Sequence, residues 1–196
     1  MSNTINLITK TTSLAKEIWK SYLHDDCLAI DATVGNGNDT LFLCQNCRFV
    51  YGFDIQKEAI DNTRDLLRNK GLNNFEFFER SHAEMDLCVK EKADLIVFNL
   101  GYLPDGIKTV TTETETTLKA VEKALTLLKK DGLLSIMMYW GHEEGKRERE
   151  ALLRYAAELD GREFHCVYLN TVNQSNNPPE ILLITRKRKQ NEKEKR

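Results

Sequence analysis

The sequence predicts an α/β protein, a Rossmann-like sheet of seven mostly parallel strands flanked by helices. Short β-branched and aromatic runs alternate with longer amphipathic stretches, which is the rhythm of repeated βαβ units. Glycines punctuate the ends of the helical stretches, where left-handed caps belong. A Gly-Asn-Gly turn directly follows the first strand and opens a helix, at the end of the sheet where parallel strands bind their ligands.

The first amphipathic stretch, Ser13–Leu23, is a helix, and Leu28–Ala32 is the first strand. A short helix near Asp39–Cys47 leads to the second strand, Phe49–Phe53, and a longer one over Lys57–Lys70 leads to the third, Phe75–Phe78. The fourth strand is Ala93–Asn99, followed by a helix over Thr114–Lys130 and a fifth strand, Leu133–Tyr139. A helix over Glu144–Leu159 and strands at Phe164–Leu169 and Ile181–Thr185 close the chain. Gly71, Gly132 and Gly161 fall where the last three long helices should end. No repeat or linker interrupts this order, so a single domain over 1–196 is expected, with 186–196 as a mobile basic tail.

Composition limits the function classes. With 41% hydrophobic and 30% charged residues the chain is globular and neither fibrous nor disordered. No apolar run reaches membrane-spanning length and no targeting segment is visible, so a cytoplasmic protein without a membrane partner is expected. The five cysteines are scattered and odd in number, which favours reduced thiols. Cys44 and Cys47 form a C-x-x-C without a second ligand pair, so no metal is expected. The net charge of −2 conceals seven basic and two acidic residues in Arg186–Arg196, which leaves −7 on the body. That arm is either a solvated terminus or a weak attractor of phosphate.

The residues with chemistry cluster after strands one to five. In Asp31-Ala32-Thr33-Val34-Gly35-Asn36-Gly37-Asn38-Asp39, Gly35 and Gly37 let the backbone approach a ligand closely. Thr40 stands where a dinucleotide fingerprint places its third glycine, which speaks against a pyrophosphate and a nicotinamide-dependent oxidoreductase. Asp31, Asn36, Asn38 and Asp39 make a polar, acidic lining suited to a cationic ligand with an amino-acid end, such as S-adenosylmethionine. Asn-Gly-Asn is also an ordinary turn choice. Asp54, seventeen positions after Gly37, ends the second strand where a carboxylate meets ribose hydroxyls, with capping of the next helix as the competing role. Gln56 is placed to help with the ribose or adenine, and Ser81 and His82 with the adenine edge, although a lone histidine is more often structural.

Asn99 emerges at the end of the fourth strand beside the expected methyl donor, where its carbonyl can accept an amine's hydrogen. Leu100, Gly101 and Tyr102 follow it, the first two expected to line the substrate site and the tyrosine either orienting an acceptor or anchoring a loop. After the fifth strand, Tyr139, Gly141 and Gly145 suggest a substrate wall, and His142 is the nearest candidate base. Lys146, Arg147, Arg149 and Arg154 are either phosphate contacts or, as Glu143–Arg147 and Glu150–Arg154, ordinary helix pairs. Asn170–Pro179 is either a plain connection or a recognition loop.

Five segments together carry a family resemblance: Asp31-Ala32-Thr33-x-Gly35-Asn36-Gly37-x-Asp39-Thr40, Phe53-Asp54-Ile55-Gln56, Phe98-Asn99-Leu100-Gly101-Tyr102-Leu103-Pro104, Gly141-His142-x-Glu144-Gly145-Lys146 and Asn173-Gln174-x-Asn176-x-Pro178-Pro179. The chain resembles the MnmM (YtqB-like) family over nearly all its length outside the basic tail. That resemblance implies a class I methyltransferase fold, S-adenosylmethionine as cofactor, and tRNA as partner through its anticodon stem-loop. It implies methylation of the aminomethyl group on the wobble 2-thiouridine, giving 5-methylaminomethyl-2-thiouridine. It also implies that Asn36, Asn38, Asp54, Gln56, Ser81 and His82 hold the cofactor while Asn99, Tyr102 and His142 face the uridine. The chain departs from the pattern at Asn38, where the family often has His, and at Glu143, where it often has Pro. Leu100 and Gly101 replace both prolines of the N-P-P-Y motif of amino-directed methyltransferases. Methylation of rRNA or of a small amine, a non-catalytic RNA- or nucleotide-binding module, and a homodimer stay open at this point.

Overall fold

The computed structural model describes residues 10–100 and 114–188. Strands β1 (Leu28–Asp31), β2 (Phe49–Asp54), β3 (Phe75–Glu79), β4 (Ala93–Leu100), β5 (Leu128–Met138), β6 (Phe164–Leu169) and β7 (Glu180–Arg186) form one sheet in the order β3-β2-β1-β4-β5-β7-β6. Neighbours from β3 to β5 pair in parallel, and only β7 is reversed, antiparallel to both β5 and β6. Helices α1 (Thr11–Lys20), α2 (Asn38–Cys44) and α3 (Lys57–Asn69) contribute to one apolar layer; α4 (Met85–Cys88), α5 (Thr114–Leu127) and α6 (Glu143–Glu158) contribute to the other. The sheet is covered on both faces. Along β1, Leu28 and Ile30 join the layer of α4 to α6 while Ala29 joins that of α1 to α3, so the strand reads as an unbroken apolar run.

The seven strands fall where the sequence places them, apart from shifts at their ends. α4 and the 3-10 turn His82–Glu84 before it were not expected, because pieces of four and three residues are too short to display a helical period. At the end of α3, Gly71 is left-handed (φ 74°) and the Leu72 amide reaches back to the Leu67 carbonyl at 3.0 Å, closing a Schellman turn. The other two glycine caps are not found. α5 stops at Leu127, Leu128 already pairs with Ala93, and the left-handed residue is Asp131 (φ 64°). Gly132 is instead a packing requirement, since a methyl group there would press on the Asp94 and Lys129 carbonyls at 3.0 Å. Gly161 is not among the left-handed glycines and has open space around it.

The first residues of the expected tail are bonded to the fold. Arg186 belongs to β7, donates to the Leu128 carbonyl at 3.2 Å and pairs with Glu163 at 2.8 Å. Lys187 donates to the Gly161 carbonyl at 2.6 Å and Arg188 pairs with Asp131, while residues beyond 188 lie outside the described residues. The five cysteines are free thiols. No described helix is long and apolar enough to cross a membrane.

Candidate active site

The strand order reverses between β1 and β4, which opens a crevice at their carboxyl ends. The turn after β1 fills its rim. Gly35 (φ 49°) and Gly37 (φ 73°) are both left-handed, a backbone that side chains resist. A methyl group on Gly37 would stand 2.6 Å from the Thr63 hydroxyl, so α3 lies hard against the turn, and that hydroxyl donates to the Gly35 carbonyl at 3.2 Å. At the tip of β2, Asp54 accepts the Gly35 amide on Oδ2 and the Gln56 amide on Oδ1, each at 2.9 Å. Each carboxylate oxygen retains a further lone pair. The capping alternative is not realised: α3 begins at Lys57, and its N-cap is Gln56, without a side-chain cap.

Asp31 has a different task from the one its sequence position suggested. It is 1% exposed, and its carboxyl accepts the Thr33 amide at 3.1 Å and the Thr40 hydroxyl at 2.7 Å. It braces the turn from beneath and presents no face to a ligand. Desolvation, with the Asp39 charge next, pushes its pKa up to about 7. Thr40 therefore stands in the third-glycine position because its hydroxyl holds Asp31, a pairing that no glycine could supply.

Asn99 is fixed from two sides. Its amide N–H donates to the Thr33 hydroxyl at 2.7 Å, and its side-chain Nδ2 donates to Asp39 Oδ2 at 3.2 Å. The other Asp39 oxygen pairs with Lys16 of α1 at 2.9 Å, and Lys16 also donates to the Asn38 carbonyl at 3.2 Å. Sequence reasoning missed Lys16, since a lysine on an amphipathic helix carries no signal of a partner beyond its own element.

Ser81 and His82 are occupied by local structure. The Ser81 hydroxyl accepts the Ala83 amide at 3.2 Å and caps the 3-10 turn. His82 donates from Nδ1 to the Ala32 carbonyl at 3.2 Å and sets its ring edge-on to Phe98 at 5.5 Å. Its Nε2 is buried, and desolvation lowers the pKa, so the ring is a neutral clamp between β1 and the turn. The adenine-edge contact expected of it is not offered by this arrangement.

Beyond β4, Tyr139 follows β5 and donates to the Met137 sulfur at 3.5 Å. Burial raises its pKa, with the Asp39 charge second, and a hydrogen bond with Asn99 acts in the opposite direction. His142, expected as a base, is the N-cap of α6: its Nδ1 accepts the Gly145 amide at 3.0 Å. Gly145 is buried, and a methyl group on it would collide with the Tyr139 carbonyl, so it serves packing and not a substrate. Leu100 is fully buried in the core and cannot line a substrate wall either. Gly141 is exposed with open space around it. Gly101 and Tyr102 lie outside the described residues.

The basic residues of α6 also resolve. Lys146 pairs with Glu143 at 2.6 Å and Arg147 with Glu144 at 3.6 Å, one residue closer than the expected spacing. Arg149 turns inward. It pairs with buried Glu180, donates to the Tyr168 hydroxyl at 2.7 Å and lies over the Trp140 ring at 5.3 Å. Trp140 in turn donates to the Pro178 carbonyl at 3.0 Å, and Thr11 of α1 to the Pro179 carbonyl at 3.1 Å. The Pro-Pro end of the last loop is thereby tied to Trp140 and to α1, while residues 170–177 are exposed.

A seven-stranded sheet in this order with a single reversed strand, and a glycine bend at its switch point beside an acid-tipped second strand, defines a class I methyltransferase. The family model described as "Putative rRNA methylase" matches residues 50–185, and the chain belongs to that family. It is 34% identical over 191 residues to the chloroplastic tRNA (mnm5s2U34)-methyltransferase of Arabidopsis thaliana, covering 90% of this chain and 70% of that protein. The Streptococcus mutans protein SMU.1697c, solved in complex with SAH, is 36% identical with a TM-score of 0.86 over 91% of this chain and 99% of its own. An rRNA methylase from Streptococcus thermophilus is 32% identical with a TM-score of 0.81, covering 92% of this chain and 99% of its own.

Proposed function

We propose that the protein is an S-adenosylmethionine-dependent methyltransferase of tRNA, acting in the cytoplasm. Its acceptor is the aminomethyl nitrogen of wobble 5-aminomethyl-2-thiouridine, and its product is 5-methylaminomethyl-2-thiouridine. One observation carries the reading: at the switch point, Asn99 commits its NH2 group to Asp39, which leaves Oδ1 to accept a hydrogen from an amine. The Arabidopsis relative, named for this reaction, supports the choice of acceptor.

The residues fit the cofactor. Asp54 keeps two lone pairs after binding Gly35 and Gln56, one for each hydroxyl of a ribose. Asp39 and Asp54 at the bend oppose a pyrophosphate, while Asp31 lies buried beneath them. The backbone of Gly35 and Gly37, with Asn36 and Asn38, would hold the amino-acid end, and Gln56 and Ser81 border the nucleoside end. When bound, the cofactor supplies an electrophilic methyl group on a sulfonium.

The chain's own residues contribute alignment. Asn99 Oδ1 accepts an N–H of the acceptor amine and turns its lone pair toward the reacting centre, and such positioning is worth orders of magnitude in rate. Tyr139, half-buried beside Asn99, walls the acceptor and excludes water. The amine attacks as the neutral form, which a desolvated pocket favours. The proton leaves with the product ammonium into solvent: His142 spends its Nδ1 lone pair on the Gly145 amide, and His82 Nε2 is buried.

The test incubates pure protein with methyl-labelled S-adenosylmethionine and either tRNA carrying 5-aminomethyl-2-thiouridine or total rRNA, then resolves nucleosides by mass spectrometry. The expected result is one added methyl on the wobble nucleoside, lost in Asn99→Ala. Label in rRNA alone, or in neither, rejects the reading.

A further inference from the structure

We infer that Lys16, on α1, is a positioning residue for methyl transfer: through Asp39 it sets the rotamer of the Asn99 side-chain amide. This rests on the functional reading above and deepens it, by adding an element outside the motifs to the reaction centre.

An asparagine amide has two nearly equivalent orientations, related by a half-turn, and only one of them presents the carbonyl oxygen to an amine. The chain must choose between them. A carboxylate has no hydrogen to give, so an amide resting against Asp39 must turn its NH2 group toward it. Asn99 Nδ2 stands 3.2 Å from Asp39 Oδ2, which is that arrangement. Tyr139, the amide's other hydrogen-bond neighbour, can donate or accept and so does not choose, which leaves the choice as firm as Asp39. Asp39 lies in the first turn of the short helix α2, its side chain 15% exposed, with Asp31 electrostatically coupled to it. Left alone it has room to swing to water and every reason to leave another carboxylate.

Lys16 removes that freedom. Its Nζ holds Asp39 Oδ1 at 2.9 Å, which leaves Oδ2 for Asn99, and supplies the cation among the acids. The lysine is itself held at three points, by Asp39, by the Asn38 carbonyl at 3.2 Å and by the Phe42 ring 5.5 Å away. Its helix is anchored on either side by buried Ala15 and Trp19. The relay runs from a docked helix through an ion pair to the amide that meets the substrate, and a supporting shell of this kind is what keeps a reacting group in register.

The test compares wild type with Lys16→Met and Lys16→Arg. Steady-state kinetics on undermodified tRNA should show kcat reduced about tenfold in Lys16→Met. KM for tRNA and the dissociation constant for S-adenosylhomocysteine should stay within about twofold, and Lys16→Arg should recover most of kcat. The second readout needs no turnover: in nitrogen-15 spectra, the Asn99 side-chain amide pair, assigned by its disappearance in Asn99→Ala, should be displaced from free-amide positions in wild type and move toward them in Lys16→Met. Unmoved amide signals overturn the inference, as does a kcat unaffected by Lys16→Met or a loss carried by KM alone. A wild type that transfers no methyl sinks the functional reading, and the amide spectra then decide by themselves whether Lys16 sets the rotamer.

Discussion

The two halves of the crevice are built from different materials. On the side of β1 to β3, several bonds that shape the site stay within one turn: Asp31 with Thr33 and Thr40, Asp54 with Gln56, Ser81 with Ala83, while Gly35 with Asp54 and Thr63 and Ala32 with His82 tie those turns together. On the side of β5 to β7 the bonds link distant residues: Arg149 with Glu180 and Tyr168, Trp140 with Pro178, Thr117 with Glu148. The side proposed to hold the cofactor rests largely on local turns, while the side proposed to face the acceptor is a cluster assembled from α6, β6, β7 and the loop between the last two strands. A site divided in this way can change its acceptor without disturbing its grip on the cofactor, which is how loops on a rigid scaffold diversify.

Breaking the acceptor half should give the largest effect on stability. Arg149→Met leaves Glu180, 4% exposed, as a buried carboxylate without its cation, which costs about 3–5 kcal/mol. Urea unfolding measures it. If the halves are separate, S-adenosylhomocysteine affinity per folded molecule changes less than about twofold; a parallel loss of affinity would merge them. Next comes Asp54→Ala on the cofactor side, which releases the Gly35 and Gln56 amides and removes the ribose acceptor. Calorimetry should show cofactor affinity weakened about 100-fold, about 2.7 kcal/mol. A change under about threefold would remove Asp54 from the site.

Asp31→Asn sharpens the comparison through pH. The folded pKa of about 7 lies above the ordinary 3.8, so between those values the native state holds a proton that the unfolded state has released. Asp31 therefore makes the wild type lose stability as pH rises through that window and adds no further slope above it. The wild-type melting temperature relative to Asp31→Asn should be higher at pH 5 than at pH 8; an equal difference at both would show that Asp31 is not buried as described. The smallest effect is expected outside both halves. Arg162 holds the exposed Asp160 carboxyl down at about 2 in the turn before β6, and Arg162→Ala should leave melting temperature and methyl transfer unchanged.

How much of this was legible follows from the same division. The Gly35–Gly37 bend and Asp54 were readable because turn chemistry and strand-end position are local properties. Asp31 was placed in the right turn with the wrong task, since nothing in sequence shows that Thr40 points back at it. His142 looked like a base because it follows a strand on the ligand side, yet the three-residue distance to Gly145 is what an N-cap needs. The α5–β5 junction was misread because Asp131, and not the neighbouring glycine, takes the left-handed turn.

The sequence by itself determined the order of the strands along the chain, the two-sided burial of the sheet and the position of the glycine bend, all of which follow from hydrophobic period and turn propensity over a few residues. Only the tertiary structure decided which carboxylate braces and which faces outward, that Arg149 serves Glu180 and not a phosphate, and that Lys16 reaches Asn99 through Asp39. Those assignments depend on side chains from separate elements meeting at distances of about 3 Å, and such meetings are fixed by how the elements pack, not by the spacing of residues along the chain.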